Sequence, residues 1–199
     1  MDEIKSARDI AQAKIERVGD ITEADRLRWK YLPVGEQLAA KYLKEGHDLA
    51  TELAAQPVGA LPYIKKGLEA VLMAAVALPQ NDTAQSRNQR ALDGIIVIKH
   101  DLDAAQRLVG QIRQVLGHYT DQGEKQRKAT RETLKVQYEG KLRQAMDKQL
   151  GGVGGLEDLK ISVESLPQFQ EEWRRVSAQL DQQYLGLLEE FKQELAKVG

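Results

Sequence analysis

FQEEWRRVSAQLDQQYLGLLEEFKQELAKV, residues 169–198, decides the fold class. Phe169, Trp173, Val176, Leu180, Tyr184, Leu187, Phe191, Leu195 and Val198 follow one another at steps of 4, 3, 4, 4, 3, 4, 4 and 3. The mean step is close to the 3.6-residue turn of a straight α-helix and above the 3.5 of a strict coiled-coil seam. About 30 residues at ~1.5 Å each make a rod of roughly 45 Å. Its other face, Glu171, Glu172, Gln179, Gln182, Gln183, Glu190 and Gln193, is polar and reads as solvated.

Upstream, Gly151-Gly152-Val153-Gly154-Gly155 reads as a linker, because four glycines in five residues are incompatible with helix. Leu159–Glu164 alternates and is β-branched, so it reads as the single short extended segment. From Thr83 to Leu150 there is no proline. Leu92, Ile95, Ile96, Leu102, Leu108, Val109, Ile112, Val115, Leu116 and Tyr119 form a helical stripe, which makes the run Ile95–Ile98 helix and not strand. Residues 119–124, YTDQGE, are either a joint or a loose spot in one long helix. Leu134, Tyr138, Leu142, Ala145 and Leu150 continue the pattern. Residues 121–150 hold eight Lys/Arg against five Asp/Glu, and 151–199 hold five against nine. Charges of +3 and −4 on either side of the linker predict an antiparallel hairpin, with apolar burial supplying most of its stability.

The N-terminal part reads as shorter helices. Ile4, Ala7, Ala11, Ile15 and Val18 mark a stripe over 2–18 that Gly19 ends. Thr22 with Asp25 has the spacing of a capping box. A short helix through Leu27, Trp29 and Leu32 is expected to break at Pro33 and Gly35. Residues 36–56 make another helical face that Gly46 interrupts. After Pro57, Gly59 and Pro62 comes a buried helix to Leu78, and Pro79-Gln80-Asn81-Asp82 is a break with Asn81 or Asp82 as cap. The expected architecture is all-α: an N-terminal helical domain (1–118) and a long antiparallel helical hairpin (119–199).

Composition narrows function. The 199 residues contain no cysteine, which removes disulfides, thiolate metal sites and thiol nucleophiles. Net charge is −1, with 29 Lys+Arg against 30 Asp+Glu, so no global field draws the chain to nucleic acid or anionic lipid. The opening MDEIKSARDI lacks the apolar core of a signal peptide, and the most apolar run, Ala70–Leu78, is too short to span a bilayer. A cytoplasmic protein without membrane or nucleic-acid partners is expected.

Few residues offer chemistry. His47, His100 and His118 stand in no His-x-x-x-His or Glu-x-x-His spacing, so neither a metal site nor a cofactor is expected. The glycine run lacks the Lys-Ser/Thr of a phosphate loop, and no serine lies in a Gly-x-Ser-x-Gly setting. Two basic stretches, Arg87–Arg90 and Lys125–Lys135, carry no aromatic ladder and read as solvated or ion-paired helix faces. Trp29 and Trp173, each followed by basic residues, suit an interface edge or ordinary packing.

The opening Met1–Ala13, with Glu3-Ile4-Lys5-Ser6-Ala7, resembles the start of a family of uncharacterised all-helical bacterial proteins. The resemblance continues in Lys66-Gly67, in Leu78–Asp82 and in Gln137-Tyr138-Glu139-Gly140-Lys141-Leu142. It implies a bacterial, cytoplasmic protein and carries over no activity and no catalytic residue.

The sequence therefore points to a non-enzymatic interaction or scaffold protein. The expected contact stripe is Phe169, Trp173, Val176, Leu180, Tyr184, Leu187, Phe191 and Leu195, and the expected partner is a second copy (a homo-oligomer, such as a dimer) or another protein. The alternative is a chaperone-like module that binds a ligand or peptide through the apolar segment 68–78.

Overall fold

The computed structural model describes residues 22–150 and 162–199, apart from the side chains of Asp147, Gln149 and Leu150. The expected helix 2–18, the glycine linker 151–155 and the first part of the extended segment 159–164 lie outside the described residues. Every regular element described is helical, so the fold is all-α. The helices are α1 (Glu23–Glu45), α2 (Leu49–Ala54), α3 (Leu61–Ala75), α4 (Asp82–Ile98), α5 (Leu102–His118), α6 (Glu124–Leu150) and α7 (Pro167–Lys197). Short 3₁₀ turns stand at Val58–Ala60 and Val163–Ser165, and a π-helical turn at Tyr119–Gly123. Two compact units form: 22–76 with Arg90–Ile98, and Ala77–Gln89 with the described part of Lys99–Gly199. Residues of α4 thus contribute to both.

The first unit starts at the expected capping box. The Thr22 hydroxyl accepts from the Asp25 amide at 3.2 Å, and the Asp25 carboxylate accepts from the Thr22 amide at 3.3 Å. The Thr22 hydroxyl bond holds the Asp25 carboxyl below its ordinary pKa. The helix does not stop at Pro33 and Gly35, contrary to the sequence expectation; α1 runs through both to Glu45. Tertiary packing explains the difference. A Cβ at Gly35 would stand 2.0 Å from the Ile64 carbonyl oxygen, and one at Gly67 would stand 2.2 Å from the Leu32 carbonyl oxygen. The two glycines let α1 and α3 touch backbone to backbone. Pro33 sits on the exposed side, as does Trp29 one turn earlier, so the carbonyl freed by the missing N–H is on the wet face.

Gly46 closes α1 in the left-handed conformation, φ 71°, with its N–H on the Tyr42 carbonyl at 2.9 Å. Arg90 of α4 supplies a second cap by donating to the Leu43 carbonyl at 3.0 Å. Leu49, Leu53, Ile64, Leu68, Leu72, Val76, Leu92, Ile95 and Ile98 fill this unit's core. Helix α3 ends at Ala75, earlier than expected, yet Val76 stays buried as extended chain.

In the second unit Asn81 caps α4, its Oδ1 accepting from the Ala84 amide at 2.8 Å. Asn88 is 2% exposed and satisfies both backbone groups of Ala77: its Oδ1 accepts from the amide at 3.1 Å, and its Nδ2 donates to the carbonyl at 2.6 Å. The stretch 83–150 is not one helix. It breaks at Lys99–Asp101, where Asp101 caps α5 by accepting from the Ala104 amide at 3.0 Å. The break is fixed from far along the chain. Buried Lys99 donates through Nζ to the Val198 carbonyl, and the His100 amide donates to the Gly199 carbonyl at 2.7 Å. Of the expected extended segment 159–164, the described Val163 and Glu164 stand in the 3₁₀ turn Val163–Ser165.

Helix α7 runs antiparallel to both α5 and α6. Tyr138 reaches the Gln168 carbonyl at 3.2 Å, Arg131 pairs with Glu164 at 3.2 Å, and Arg127 pairs with Asp181 at 3.3 Å. His118 meets Tyr184 at 2.9 Å. Two of the cations counted on 121–150 therefore do meet acids from beyond the linker, while Lys125 pairs with Asp121 of the π-helical turn at 2.7 Å and Lys128 with Glu124 of α6 at 2.6 Å.

Adding one methyl at the helix crossing should be costly. Gly67→Ala is expected to destabilise by about 1–3 kcal/mol, since backbone must move. Gly110→Ala, where a Cβ meets nothing within 4 Å on an exposed helix, should gain up to ~1 kcal/mol. Urea unfolding of the two variants reads the contrast. Asn88→Ala strands an amide and a carbonyl and should cost about 1–3 kcal/mol in the same measurement.

Candidate interaction face

The expected contact stripe on α7 divides in the structure. Phe169 is buried with Leu134 and Val163, and Tyr138, Leu142, Leu166 and Trp173 pack against that cluster. The Phe169 and Tyr138 rings meet edge to face, 5.6 Å between centroids. Trp173 is half-buried, with the Arg131 guanidinium over its ring. Val176 and Leu180 are half-buried. Tyr184 and Leu195 are buried, as is Leu188, which the stripe omits. Leu187 is 48% exposed, and Phe191 is half-buried beside it.

The buried direction of α7 is therefore turned from the stripe's centre. The stripe is spaced correctly, but packing against α5 draws in Tyr184, Leu188 and Leu195. Leu187 and Phe191 remain on the flank. With Gln111, Gln114, Val115 and His118 of α5 they line a mostly apolar groove of about 320 Å³.

The π-helical turn carries α5 into α6 above this groove. Tyr119 is 1% exposed, and burial raises its phenol pKa above the ordinary value. Its hydroxyl accepts from Gln80 Nε2 at 3.0 Å. The Arg127 guanidinium lies over its ring at 4.2 Å, and the Tyr184 ring meets it edge-on at 5.2 Å. Gly123 is buried here; a Cβ would stand 3.2 Å from the Tyr184 hydroxyl oxygen. The YTDQGE stretch is a joint in the helical path that keeps its helicity.

Two other hollows are already spoken for or shallow. A polar one of about 520 Å³ is lined by Asn81, Glu124 and Arg127 among others. Those three side chains are engaged with the Ala84 amide, Lys128 and Asp181. Trp29 is 62% exposed beside Arg28, Leu32 and Pro33, in a shallow depression of the first unit. The apolar segment 68–78 places Leu68, Leu72 and Val76 in that unit's core with at most 2% exposure.

The histidines are dispersed in their roles. His47 lies 2.6 Å from Glu45 on the surface, His100 is exposed in the α4–α5 break, and His118 bonds Tyr184. Among the described residues no group of three or more His, Asp or Glu is placed to hold a metal ion. Shifted carboxylates have structural causes. The Thr51 hydroxyl lowers Asp48, Lys125 lowers Asp121 and Lys128 lowers Glu124, and all three of these partners lie on the surface. No described helix is long and apolar enough to cross a membrane.

These features define a helical protein whose described residues form two compact units, the second with an apolar groove between α5 and α7. The chain belongs to the family described as "Family of unknown function (DUF6657)", whose model matches residues 50–197. That agrees with the resemblance to an uncharacterised family. The match takes in the Lys66-Gly67, Leu78–Asp82 and Gln137–Leu142 stretches and starts after the Glu3–Ala7 motif. No curated protein and no solved structure matches the chain.

The two tryptophans test this placement. Trp173→Phe leaves only exposed Trp29, and its fluorescence should be red-shifted and strongly quenched by acrylamide. Trp29→Phe leaves the packed Trp173, which should emit further to the blue and resist quenching.

Proposed function

We propose that the protein is a non-enzymatic, cytoplasmic bacterial interaction or scaffold protein that makes protein contacts through α5 and α7. The observation that carries the reading is the groove between these helices, with Leu187 standing 48% exposed at its edge. Most of the aromatic stripe is spent inside the second unit, where each fully buried large side chain contributes roughly 1.5–3 kcal/mol. That makes the rest of α7 a rigid support. Leu187, Phe191 and Val115 then present apolar surface at no cost in ordering, as a pre-formed helix pair does for a partner helix.

Leu187→Asp tests the reading, with Leu185→Asp as control. Leu185 is 44% exposed and lies two residues away, on the other side of the helix. Both variants should keep the wild-type far-UV circular dichroism and melting temperature within a few degrees. Cross-linking and affinity capture should lose their protein contacts with Leu187→Asp and keep them with Leu185→Asp. Contacts indifferent to Leu187→Asp would remove this face from the function.

A further inference from the structure

The groove has a charge pattern that names its occupant. Tyr184 of α7 is level with His118 of α5, because the two side chains bond at 2.9 Å. The helices are antiparallel, since Lys99 ahead of α5 bonds Val198 at the end of α7. Both rise ~1.5 Å per residue. Three residues back from His118 and three on from Tyr184, Val115 is level with Leu187. Eleven residues back and ten on, Arg107 is level with Glu194. Arg107 continues the exposed face of Gln111, Gln114 and His118 at helical spacing, and Glu194 continues that of Leu187 and Phe191. Arg107 and Glu194 are both exposed, and neither makes an ion pair or hydrogen bond with another described residue.

We propose that a second copy of this chain occupies the face, related by a two-fold axis parallel to α5 and α7. This rests on the reading of the groove as a contact face. Such an axis lays α5 of each copy over α7 of the other and keeps every level unchanged. Leu187 then enters the partner's groove beside the partner's Val115, and Arg107 meets the partner's Glu194. Both contacts occur twice. A two-fold axis across the helices does worse. It sets Arg107 against the segment 121–123, where Asp121 is already paired with Lys125 at 2.7 Å, and it sets Glu194 near Leu180 with no cation.

The size of the face fixes the strength. Two helices about 25 Å long and each ~10 Å wide offer roughly 500 Å² of footprint per copy, at the low end for specific pairs. The dimer is therefore weak and reversible, with the apolar contact giving affinity and the charges giving register.

Sedimentation equilibrium of the full chain between about 1 and 100 µM is the test, at low salt where exposed pairs are least screened. Wild type should move from monomer towards dimer across that range, and Leu187→Asp should stay monomeric with unchanged circular dichroism. Arg107→Glu and Glu194→Arg should each weaken the dimer by about three- to tenfold, and the double variant should return it to near wild-type strength. A wild-type monomer throughout overturns the proposal; if Leu187-dependent capture of another protein persists, the contact-face reading survives that result. A dimer that Leu187→Asp breaks, but that ignores the charge exchanges, overturns the two-fold arrangement. A dimer unaffected by Leu187→Asp overturns the occupant together with the face.

Discussion

Tyr119 is the constraint on which the second unit depends. Its ring is covered by the Arg127 guanidinium at 4.2 Å and met edge-on by Tyr184 at 5.2 Å, and its hydroxyl takes a hydrogen bond from Gln80. Arg127 in turn pairs with Asp181, so one cation serves the ring below it and the helix beside it. Three segments of sequence thus converge on one phenol. A partly buried guanidinium over an aromatic face contributes more than the same charge in water, because fewer water molecules compete for it. With Tyr119 fixed, α7 is held level with both α5 and α6, and the ion pairs and aromatic contacts on either side fall into place.

Much of the architecture was legible in the residues. The 3.6-residue stripe over 169–198 predicted α7 nearly to its ends, and Thr22 with Asp25 predicted the cap of α1. Ile95–Ile98 were correctly helical despite their β-branched side chains. Pro33 and Gly35 misled, because their meaning depends on Gly67, which is distant in sequence. Read locally they are breakers; against α3 they are a close crossing. The break at Lys99–Asp101 was hidden for the same reason, since the chain's last residues supply its hydrogen bonds.

The face on α5 and α7 was half legible. Spacing located α7 and its apolar residues, but not which of them the fold itself would bury. Leu187 and Leu188 are adjacent and chemically identical, yet one is exposed and the other buried. The helix is rotated by its packing on α5, and no property of α7 alone sets that rotation. Nothing in the sequence marked Gln111, Val115 and His118 as one wall of a groove, because a groove wall is defined by the helix opposite. The family match extends over this whole region and assigns no activity to it.

The π-helical turn at Tyr119–Gly123 has a consequence for the length of the chain itself. A wide turn holds one residue more than an α-helical turn of the same path, and each residue carries about 100° of azimuth. Residues 102–118 and 124–150 therefore lie on two different phases of one helical path. His118, which reaches Tyr184, and Arg127, which reaches Asp181, stand on either side of that turn. For this chain the number of residues between His118 and Glu124 is as much a part of its specification as their identity.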